Sequence, residues 1–425
     1  MSSNVFSFLF YLFLLTNITI IHTSSNIKVL GVVELIRHGA RAPLITFNER
    51  AKNIFFGTKR SQLTINGYRQ HLLLGRWIRR RYVDGDVYKL VSKAKLPNQV
   101  EILSSPVQRT IFSAAAHVMG LYPDAIIKYT FDGQSDYKTD DIPPIEGYSA
   151  DKRDGDEINI KVLDNEQDTM FRVNLCKRVG SDILIRKEYR NDIVFYKIDK
   201  HELKDAIDDV NKTYGKYFIK SHFDDKNFYN VKTLNVMLKV LRPYEYHSDM
   251  KLRLKRETLE TITKAILNRL YGYRLEETKY KKLLASHMLD VLSTFFRQKT
   301  VDPNSEKKFI LLSGHDSNII NVFVNIFSVD FLTKKILNSV NDKKDKAFLV
   351  PPLASSLLFE LIQVNGDNDY WVRVVYNGES ITDGFISNVK NYGKYYLISF
   401  KDFINLLRSR IDTSYKKMNC SKPLK

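Results

Sequence analysis

Three short apolar runs, each followed by a polar loop and then a helical pattern, most constrain the fold of this chain. Their mainly apolar character is typical of buried β-strands. They cover Ile27–Ile36, Val100–Leu103 and Lys308–Leu312. In an open α/β sheet, ligands bind beyond the carboxyl ends of the strands. We therefore expect the chemistry of this protein in the loops that follow these three strands.

The middle of the chain differs from its two ends. Strand and helix patterns alternate at both ends, whereas the middle shows mainly the 3.6-residue periodicity of helices. This organisation predicts an α/β domain formed by residues 27–150 and 275–425, with a mainly helical cap inserted at residues 151–274. Residues 124–152 show no regular pattern. The predicted helices are Tyr68–Tyr82, Ser104–Gly120, Leu203–Phe218, Val231–Leu241, Thr258–Leu270, Tyr280–Arg297 and Lys401–Ile411, and two further predicted strands are Ser355–Ile362 and Trp371–Tyr376.

Composition indicates a globular protein that attracts anions. The 425 residues are 44% hydrophobic and 27% charged, which is ample for a packed core. The formal net charge is +18, and a balance of this size attracts phosphate esters, nucleic acids or acidic membranes. The sequence carries no nucleic-acid-binding signature, and its arginine cluster lies in a helical pattern whose solvated face and last turn it is predicted to form. Nucleic acid is therefore not an expected partner. The cluster is Arg76, Arg79, Arg80 and Arg81.

The first residues are typical of a secretory signal peptide. Residues 1–24 carry an apolar stretch, Phe6–Leu15, followed by small polar residues, and contain no charged side chain. An uncleaved membrane anchor is the alternative, but polar residues such as Asn17 interrupt the length needed to span a bilayer. The chain from Ser414 onward is polar and basic, so no stable membrane anchor is expected there.

Two cysteines, Cys176 and Cys420, fit passage through the secretory pathway. An even number of cysteines in an oxidising compartment favours a disulfide, and two unpaired thiols are the alternative. Asn211-Lys212-Thr213 and Asn419-Cys420-Ser421 are N-glycosylation sequons. Asn211 is the predicted glycosylation site, because the second sequon contains a cysteine that a disulfide would occupy.

The loop after the first strand has the composition of an anion-binding site. It reads Arg37-His38-Gly39-Ala40-Arg41-Ala42-Pro43. Two arginines without a nearby carboxylate are costly to bury, whereas guanidinium groups bind phosphate oxygens bidentately. Their positive charge also favours the neutral form of His38. A neutral imidazole beside a bound phosphoryl group is a nucleophile directed at phosphorus.

The other two loops supply complementary groups. His315 and Asp316 follow the last of the three strands, and Arg109 lies one turn into the helix after the second. Taken alone, Asp316 fits a helix cap and Arg109 fits a surface residue. Phosphoryl transfer requires a nucleophile, cations for the phosphoryl oxygens and an acid for the leaving oxygen. His38, the arginines and Asp316 together match that requirement.

These loops resemble the motifs of the histidine acid phosphatases, a branch of the histidine phosphatase superfamily that includes prostatic and lysosomal acid phosphatases and bacterial phytases. The segment Arg37–Pro43 matches the signature R-H-G-x-R-x-P at every fixed position, and His315-Asp316 matches the late H-D pair. Ser104–Ser113 is similar to the element S-x-x-x-x-R-T, and Tyr376-Asn377-Gly378 is similar to a late Y-N-G hairpin. The similarity covers the first and last thirds of the chain, so the poorly matched middle leaves substrate preference open.

The resemblance implies a fold and a set of catalytic roles. The implied fold is a phosphoglycerate mutase-like α/β sandwich with the inserted helical cap. His38 is implied to accept the phosphoryl group, and Asp316 is implied to donate a proton to the leaving alcohol. The implied phosphate-binding residues are Arg37, Arg41, Arg109 and His315. The implied substrates are small-molecule phosphate monoesters.

No metal site is expected. The sequence has no metal-spaced set such as H-E-x-x-H, and the resemblance implies no cofactor. Three histidines lie in helical patterns and are predicted to be structural: His71, His117 and His287.

The resemblance also bears on processing and location. Cys176-Lys177-Arg178 resembles a Cys-Pro-Arg element whose cysteine pairs with a C-terminal one in family members, and this implies a Cys176–Cys420 disulfide. A protein of the secretory pathway, lysosomal or secreted and soluble after signal cleavage, is expected. Whether the chain forms a homodimer stays open.

Two other hypotheses stay open. One is a phytase-like inositol polyphosphate phosphatase, since Asn318 gives the sequence H-D-x-N found in some phytases and a charge of +18 suits a polyanion. The other is a non-catalytic, basic secreted protein that binds phosphate or heparin. The presence of every expected site residue argues against the non-catalytic hypothesis.

Overall fold

The computed structural model describes most of the chain. It covers residues 27–44, 58–132 without 86, 155–172 without 165–167, 196–215, 229, 233–234, 237, 254–275, 279–338, and 350–418 without 365–368, 386–388 and 393–394. The predicted signal peptide and both cysteines lie outside these residues.

The described residues form one mixed sheet with helices packed against it. The strands are β1 (Ile27–Arg37), β2 (Val100–Ser104), β3 (Ile126–Phe131), β4 (Glu157–Val162), β5 (Phe309–Gly314), β6 (Ser356–Val364), β7 (Tyr370–Tyr376), β8 (Glu379–Ser380), β9 (Val389–Tyr392) and β10 (Tyr395–Ser399). The helices are α1 (Ile65–Tyr82), α2 (Leu96–Gln99), α3 (Gln108–Leu121), α4 (Lys200–Tyr214), α5 (Arg256–Leu275), α6 (Lys279–Val301), α7 (Asp316–Ile326), α8 (Val329–Asn338) and α9 (Phe400–Arg410).

The strand β1 lies at the centre of the sheet. The strand order is β3-β4-β2-β5-β1-β6-β7-β10-β9, with β8 paired to β7. Neighbours from β3 to β1 are parallel, whereas β6 pairs antiparallel with β1 and β7. In this register Arg37 lies beside Gly314, and Ser104 lies beside Ser313. The carboxyl ends of β1, β2 and β5 therefore meet at one edge of the sheet.

Helices cover both faces of the sheet. On one face α1 and α3 contribute Ile78, Tyr82 and Phe112 to the core. On the other face α4, α5, α6, α7 and α9 contribute to a second core that includes Phe296 and Phe403. This arrangement confirms the predicted α/β sandwich, since apolar residues fill the space between the sheet and each helix layer.

Two strands differ from what the sequence patterns predict. The strand β3 lies within residues 124–152, for which no regular structure is predicted, and β4 lies within the range 151–274 assigned to the cap. In β4 the residues Ile158, Ile160 and Val162 are buried and alternate with exposed residues. A strand of six residues with one apolar face gives a weak signal beside long helical patterns. The strand β4 belongs to the sheet, and the division into two domains otherwise stays a prediction.

The helices of the middle segment pack on the sheet's second core. Leu203, Ile207 and Val210 form the buried face of α4, and Ile266 of α5 lies in the same cluster. Most of the predicted helix Val231–Leu241 lies outside the described residues. Within the part of the chain that the structure describes, we find no helix with the length and apolarity needed to cross a membrane.

Arg81, which is predicted to lie on the solvated face or last turn of α1, is instead mostly buried. The side chain of Arg81 is 16% exposed and pairs with Glu360, a carboxylate without exposed surface, at 2.7 Å. Arg373 and the hydroxyl of Tyr82 also donate hydrogen bonds to Glu360. The guanidinium of Arg81 lies 5.2 Å from the ring centroid of Tyr88. Arg81 therefore belongs to a buried ion pair, because the buried carboxylate of Glu360 on β6 needs compensating positive charge.

Replacing Glu360 with glutamine is expected to destabilise the fold strongly. Burial alone raises the pKa of Glu360, but Arg373 and Arg81 outweigh burial and hold that pKa at about 2. Because the pKa is below its ordinary value, the stabilisation is present above about pH 4.5 and is lost as the pH falls through about 2. We expect urea unfolding at pH 6 to show a loss of about 3–5 kcal/mol, since two arginines would lose a buried partner.

A surface pair provides the control for this measurement. Glu202 is 38% exposed and pairs with Lys264 at 3.2 Å. Glu202→Gln is expected to cost about 1 kcal/mol or less, because exposed pairs are screened by solvent. Equal losses for the two variants would contradict the role assigned to Glu360.

Candidate active site

The predicted site residues of the three loops meet at the carboxyl edge of the sheet. The ring centroids of His38 and His315 are 5.6 Å apart, at an interplanar angle of 72°. The Nη2 atom of Arg37 lies 3.2 Å from Oδ2 of Asp316. Arg109 is the second residue of α3, which follows β2. The parallel register of β1, β2 and β5 accounts for this convergence.

Backbone hydrogen bonds fix the loop that carries His38. The amide of His38 donates to the carbonyl of Gly314 at 3.0 Å, and its carbonyl accepts from the amide of Ala354 at 3.2 Å. The amide of Gly39 donates to Oγ of Ser113 at 3.1 Å. A Cβ on Gly39 would lie 2.5 Å from the carbonyl oxygen of Gly67, so this loop position needs glycine. The loop is thus held by β5, α3 and the segment before β6.

The hydrogen bonding of His38 defines which ring nitrogen can act. Its Nδ1 lies 2.9 Å from the carbonyl oxygen of Gly39. A carbonyl only accepts, so Nδ1 carries the hydrogen and the lone pair of the neutral ring is on Nε2. Burial, followed by the charges of Arg109 and Arg37, holds the pKa of His38 well below its usual range. His38 is therefore a neutral imidazole whose Nε2 carries the lone pair.

Three arginines surround this imidazole. Arg37 is 8% exposed, and its Nη1 donates to the carbonyl of Pro351. Arg41 donates to the carbonyl of Ala42 at 3.0 Å. The charges of Arg37, Arg41 and Arg109 all contribute to the lowered pKa of His38, which places them in its electrostatic surroundings. Such a set of guanidinium groups suits a bound phosphoryl group.

His315 and Asp316 occupy the start of α7. His315 is the residue before the helix, and its Nε2 lies 3.2 Å from Oγ of Ser105. Burial, followed by the charge of Arg109, holds the pKa of His315 well below its usual range. Asp316 is the first helical residue, and its side chain is 32% exposed. A partly exposed carboxyl group beside the Arg37 guanidinium can exchange protons with water and with a bound group.

The segment from Asp168 to Arg172 forms a further part of the site that sequence patterns missed. Oδ1 of Asp168 accepts hydrogen bonds from the amides of Met170 and Phe171 at 2.9 and 2.7 Å, which closes a turn. Phe171 packs against the loop before α7: a Cβ on Gly314 would lie 2.8 Å from its ring. The charge of Arg172 contributes to the lowered pKa of His315. The local sequence, Asp168-Thr169-Met170-Phe171, has a composition that is too common to indicate a site.

Asn318, the asparagine of the H-D-x-N sequence, forms hydrogen bonds to other parts of the protein. It is 1% exposed, its Oδ1 accepts from the amide of His315 at 2.8 Å, and its Nδ2 donates to the carbonyl of Phe171 at 3.0 Å. Both ends of this amide are therefore used inside the protein, where they join the start of α7 to the segment before Arg172. The asparagine of the H-D-x-N sequence therefore makes hydrogen bonds within the protein, and the substrate stays a matter for experiment.

The remaining predicted sites have the following positions. Asn211 is exposed in the last turn of α4. Cys176 and Cys420 lie outside the described residues. Among the residues that the structure describes, no group of three or more His, Cys, Asp or Glu side chains is placed to hold a metal ion.

Comparison with known proteins gives matches across most of the chain. Residues 28–377 match the family model of the histidine phosphatase superfamily (branch 2). Prostatic acid phosphatase of Bos taurus is 23% identical over 363 residues, which cover 83% of this chain and 78% of that protein. Testicular acid phosphatase of Mus musculus is 37% identical over 100 residues, which cover 23% of this chain and only 22% of that protein.

A solved structure shares the fold. The phytase of Klebsiella sp ASR1 aligns with a TM-score of 0.55 and 15% identity, over 94% of this chain and 100% of that chain. At this identity the alignment shows a shared fold alone. Taken with the family match, which spans the loops that carry His38, Arg109 and His315, it leads to one conclusion: the chain belongs to branch 2 of the histidine phosphatase superfamily, the branch of the histidine acid phosphatases.

Proposed function

We propose that this protein is an acid phosphatase that hydrolyses phosphate monoesters through a covalent phosphohistidine intermediate on His38. The observation that carries the proposal is the neutral imidazole of His38, whose Nδ1–H is bonded to Gly39 and whose Nε2 lies among arginine charges. A nucleophile of this kind needs no base to remove a proton before attack. The arginines would hold the equatorial phosphoryl oxygens.

The proposed reaction has two steps. In the first, Nε2 of His38 forms a bond to phosphorus while the bond from phosphorus to the alcohol oxygen breaks, and Asp316 gives its proton to that oxygen. In the second, water attacks phosphorus, its proton passes to Asp316, and the bond from nitrogen to phosphorus breaks. Inorganic phosphate leaves, and both residues return to their starting state. Arg37, Arg41, Arg109 and His315 are the proposed phosphate ligands.

An assay of the purified protein tests this proposal. We expect hydrolysis of nitrophenyl phosphate with an acid pH optimum, because Asp316 must carry a proton to act as the acid. Chelators are expected to leave the rate unchanged. A folded protein without turnover between about pH 4 and 8, or one that requires added zinc or magnesium, would contradict the proposal. Binding of phosphate without turnover would favour the non-catalytic hypothesis.

A second candidate function is hydrolysis of polyphosphorylated substrates, as in an inositol polyphosphate phosphatase. The observation that favours it is the position of the segment that ends at Arg172: the preceding Phe171 accepts a hydrogen bond from Asn318 in the first turn of α7, and the charge of Arg172 contributes to the lowered pKa of His315. A substrate with several phosphates can use an additional cation that a simple aryl phosphate leaves unused. A polyphosphate phosphatase should have a higher kcat/KM on phytate, relative to its value on nitrophenyl phosphate, than a simple monoesterase.

Arg172→Ala is expected to separate these two candidates. If Arg172 contacts a second phosphate, kcat/KM should fall about 10–100-fold for phytate, because a charge-assisted contact contributes about 1.5–3 kcal/mol. The value for nitrophenyl phosphate should change less than about threefold. Lys204→Ala, on the exposed surface of α4, is the matched loss of one positive charge and should affect neither substrate. Equal losses on both substrates would remove Arg172 from a substrate-selective role.

We also propose that the chain matures in the secretory pathway to a lysosomal or secreted protein, with residues 1–24 removed and Cys176 bonded to Cys420. Two described contacts support the disulfide. Nδ1 of His287 lies 2.8 Å from Oγ1 of Thr169, and its ring stacks on Tyr415 at 4.9 Å. Thr169 and Tyr415, which precede Cys176 and Cys420 in the sequence, thus both contact His287. Peptide mapping of the secreted protein without reduction should recover the cysteines in one linked fragment; two free thiols would contradict the pairing.

A further inference from the structure

A layer of buried polar side chains lies behind the loop that carries His38. Glu34 on β1, His71 on α1 and His117 on α3 have no exposed surface. Nε2 of His117 is 3.3 Å from Oε2 of Glu34, and the ring centroids of His71 and His117 are 6.2 Å apart. Burial of three ionisable groups in one layer is costly, and apolar residues would fill the same space at lower cost. The layer therefore indicates a role beyond packing.

His71 is the member of this layer that contacts the loop. Its Nε2 lies 3.0 Å from the carbonyl oxygen of Arg37 and therefore donates a hydrogen bond to it. Burial, followed by the nearby His117, lowers the pKa of His71 to about 3, so the ring is neutral at working pH. The Arg37 carbonyl belongs to the planar peptide bond whose nitrogen is that of His38. The hydrogen bond thus sets the orientation of the peptide from which the nucleophile projects.

Close packing of α1 on both sides fixes the position of His71. The neighbouring Gln70 accepts a hydrogen bond from the amide of Ala40 at 2.8 Å, so α1 is bonded to the loop at a second point. On the opposite side, a Cβ on Gly75 would lie 2.0 Å from the carbonyl oxygen of His117, so α1 and α3 are in backbone contact. The helix cannot move away from the loop without breaking these contacts.

We propose that His71 is a positioning residue for His38, and that Glu34 and His117, which lie in the same buried layer, support it. This inference rests on the proposed function of His38 as the nucleophile. Attack on phosphorus requires alignment of Nε2 with the bond that breaks, and small displacements are costly in rate. The arginines hold the phosphoryl group separately, so loss of His71 slows the chemical step and leaves substrate binding largely intact.

Two substitutions of His71 separate positioning from packing. His71→Phe keeps the ring volume without a donor, whereas His71→Gln restores an N–H at similar reach. We expect kcat on nitrophenyl phosphate to fall about 10–100-fold in H71F, with KM and the inhibition constant of inorganic phosphate within about twofold. H71Q should recover most of the lost kcat. A kcat in H71F within about twofold of wild type would overturn the inference.

Tyr82→Phe in the same helix is the matched control. It removes a buried hydroxyl that donates to Glu360 and accepts from Arg81, at the far end of α1. We expect Tyr82→Phe to lower the urea midpoint without changing kcat, so a loss of kcat in H71F cannot be ascribed to stability alone. An equal loss of kcat in both variants would assign the effect to helix stability and overturn the inference.

A double substitution tests the part assigned to Glu34 and His117. Glu34→Leu should lower kcat less than H71F does, and should cause no further loss in the H71F background, because it acts through His71. Losses that add in the double variant would show that Glu34 acts independently of His71.

Hydrogen exchange at the amides of residues 38–40 provides a readout independent of catalysis. We expect exchange about tenfold faster in H71F than in wild type, and unchanged in Y82F. If wild type hydrolyses no phosphate ester while exchange responds in this way, the proposed function is wrong and the control of the loop by His71 stands. If wild type is an active phosphatase and neither kcat nor exchange responds, the inference about His71 is wrong.

Discussion

Replacing His38 with alanine is expected to abolish turnover of phosphate esters while leaving the protein folded. The fold should persist because backbone hydrogen bonds to Gly314 and Ala354, rather than the imidazole, hold this loop. We expect the rate to fall at least about a thousandfold, since no covalent intermediate can form without Nε2. Labelled substrate, quenched without acid because phosphohistidine is acid-labile, should trap the label on the wild-type chain only.

An exposed histidine gives the control for this experiment. His201 lies on the surface of α4, so His201→Ala should retain full activity and full labelling. A residual rate in His38→Ala above about a hundredth of wild type would show that His38 is not the nucleophile.

Asp316→Asn is expected to slow hydrolysis according to the basicity of the leaving group. An alkyl alkoxide needs a proton as it departs, whereas nitrophenolate is already stable. We therefore expect a loss of about 10²–10⁴-fold on alkyl phosphates and a much smaller loss on nitrophenyl phosphate. The affinity for inorganic phosphate should persist, because Arg37, Arg41 and Arg109 are retained.

The comparison of the two substrates makes the Asp316 prediction specific. Asp402→Asn, in the first turn of α9, removes a carboxylate from another helix start and should leave both rates unchanged. An equal loss on both substrates in Asp316→Asn would place the proton donor elsewhere. Asp140 and Asp141, which lie outside the residues that the structure describes, would then be the next residues to replace.

The sequence predicts the centre of the fold and the core of the candidate site because both follow from strong local patterns. The mainly apolar runs predict β1 and β5, and the alignment of parallel strands predicts that their following loops meet. Arg37, His38 and His315 are recognisable there because charged residues at strand ends have no packing explanation. The structure brings them together as those patterns indicate.

The parts that could not be predicted depend on long-range contacts. The strand β4 has only three buried side chains and lies in the sequence between an irregular segment and helical patterns. The segment before Arg172 packs against the start of α7 because Asp168 closes a turn and Asn318 holds the carbonyl of Phe171, and neither contact has a local signature. Arg81 is predicted at the surface, since no local pattern reveals that its partner Glu360 lies on a distant strand.

The central position of β1 has a consequence for the synthesis of this protein. The strand is made near the start of the chain, yet its neighbours β5 and β6 begin only at Phe309 and Ser356. An apolar strand with two open edges must therefore stay unpaired while most of the polypeptide is translated, and pairing over such sequence distances is slow and prone to aggregation. Chaperone binding during this interval would protect β1. A chain truncated before β6 would leave one edge of β1 unpaired, and we expect such a product to be degraded.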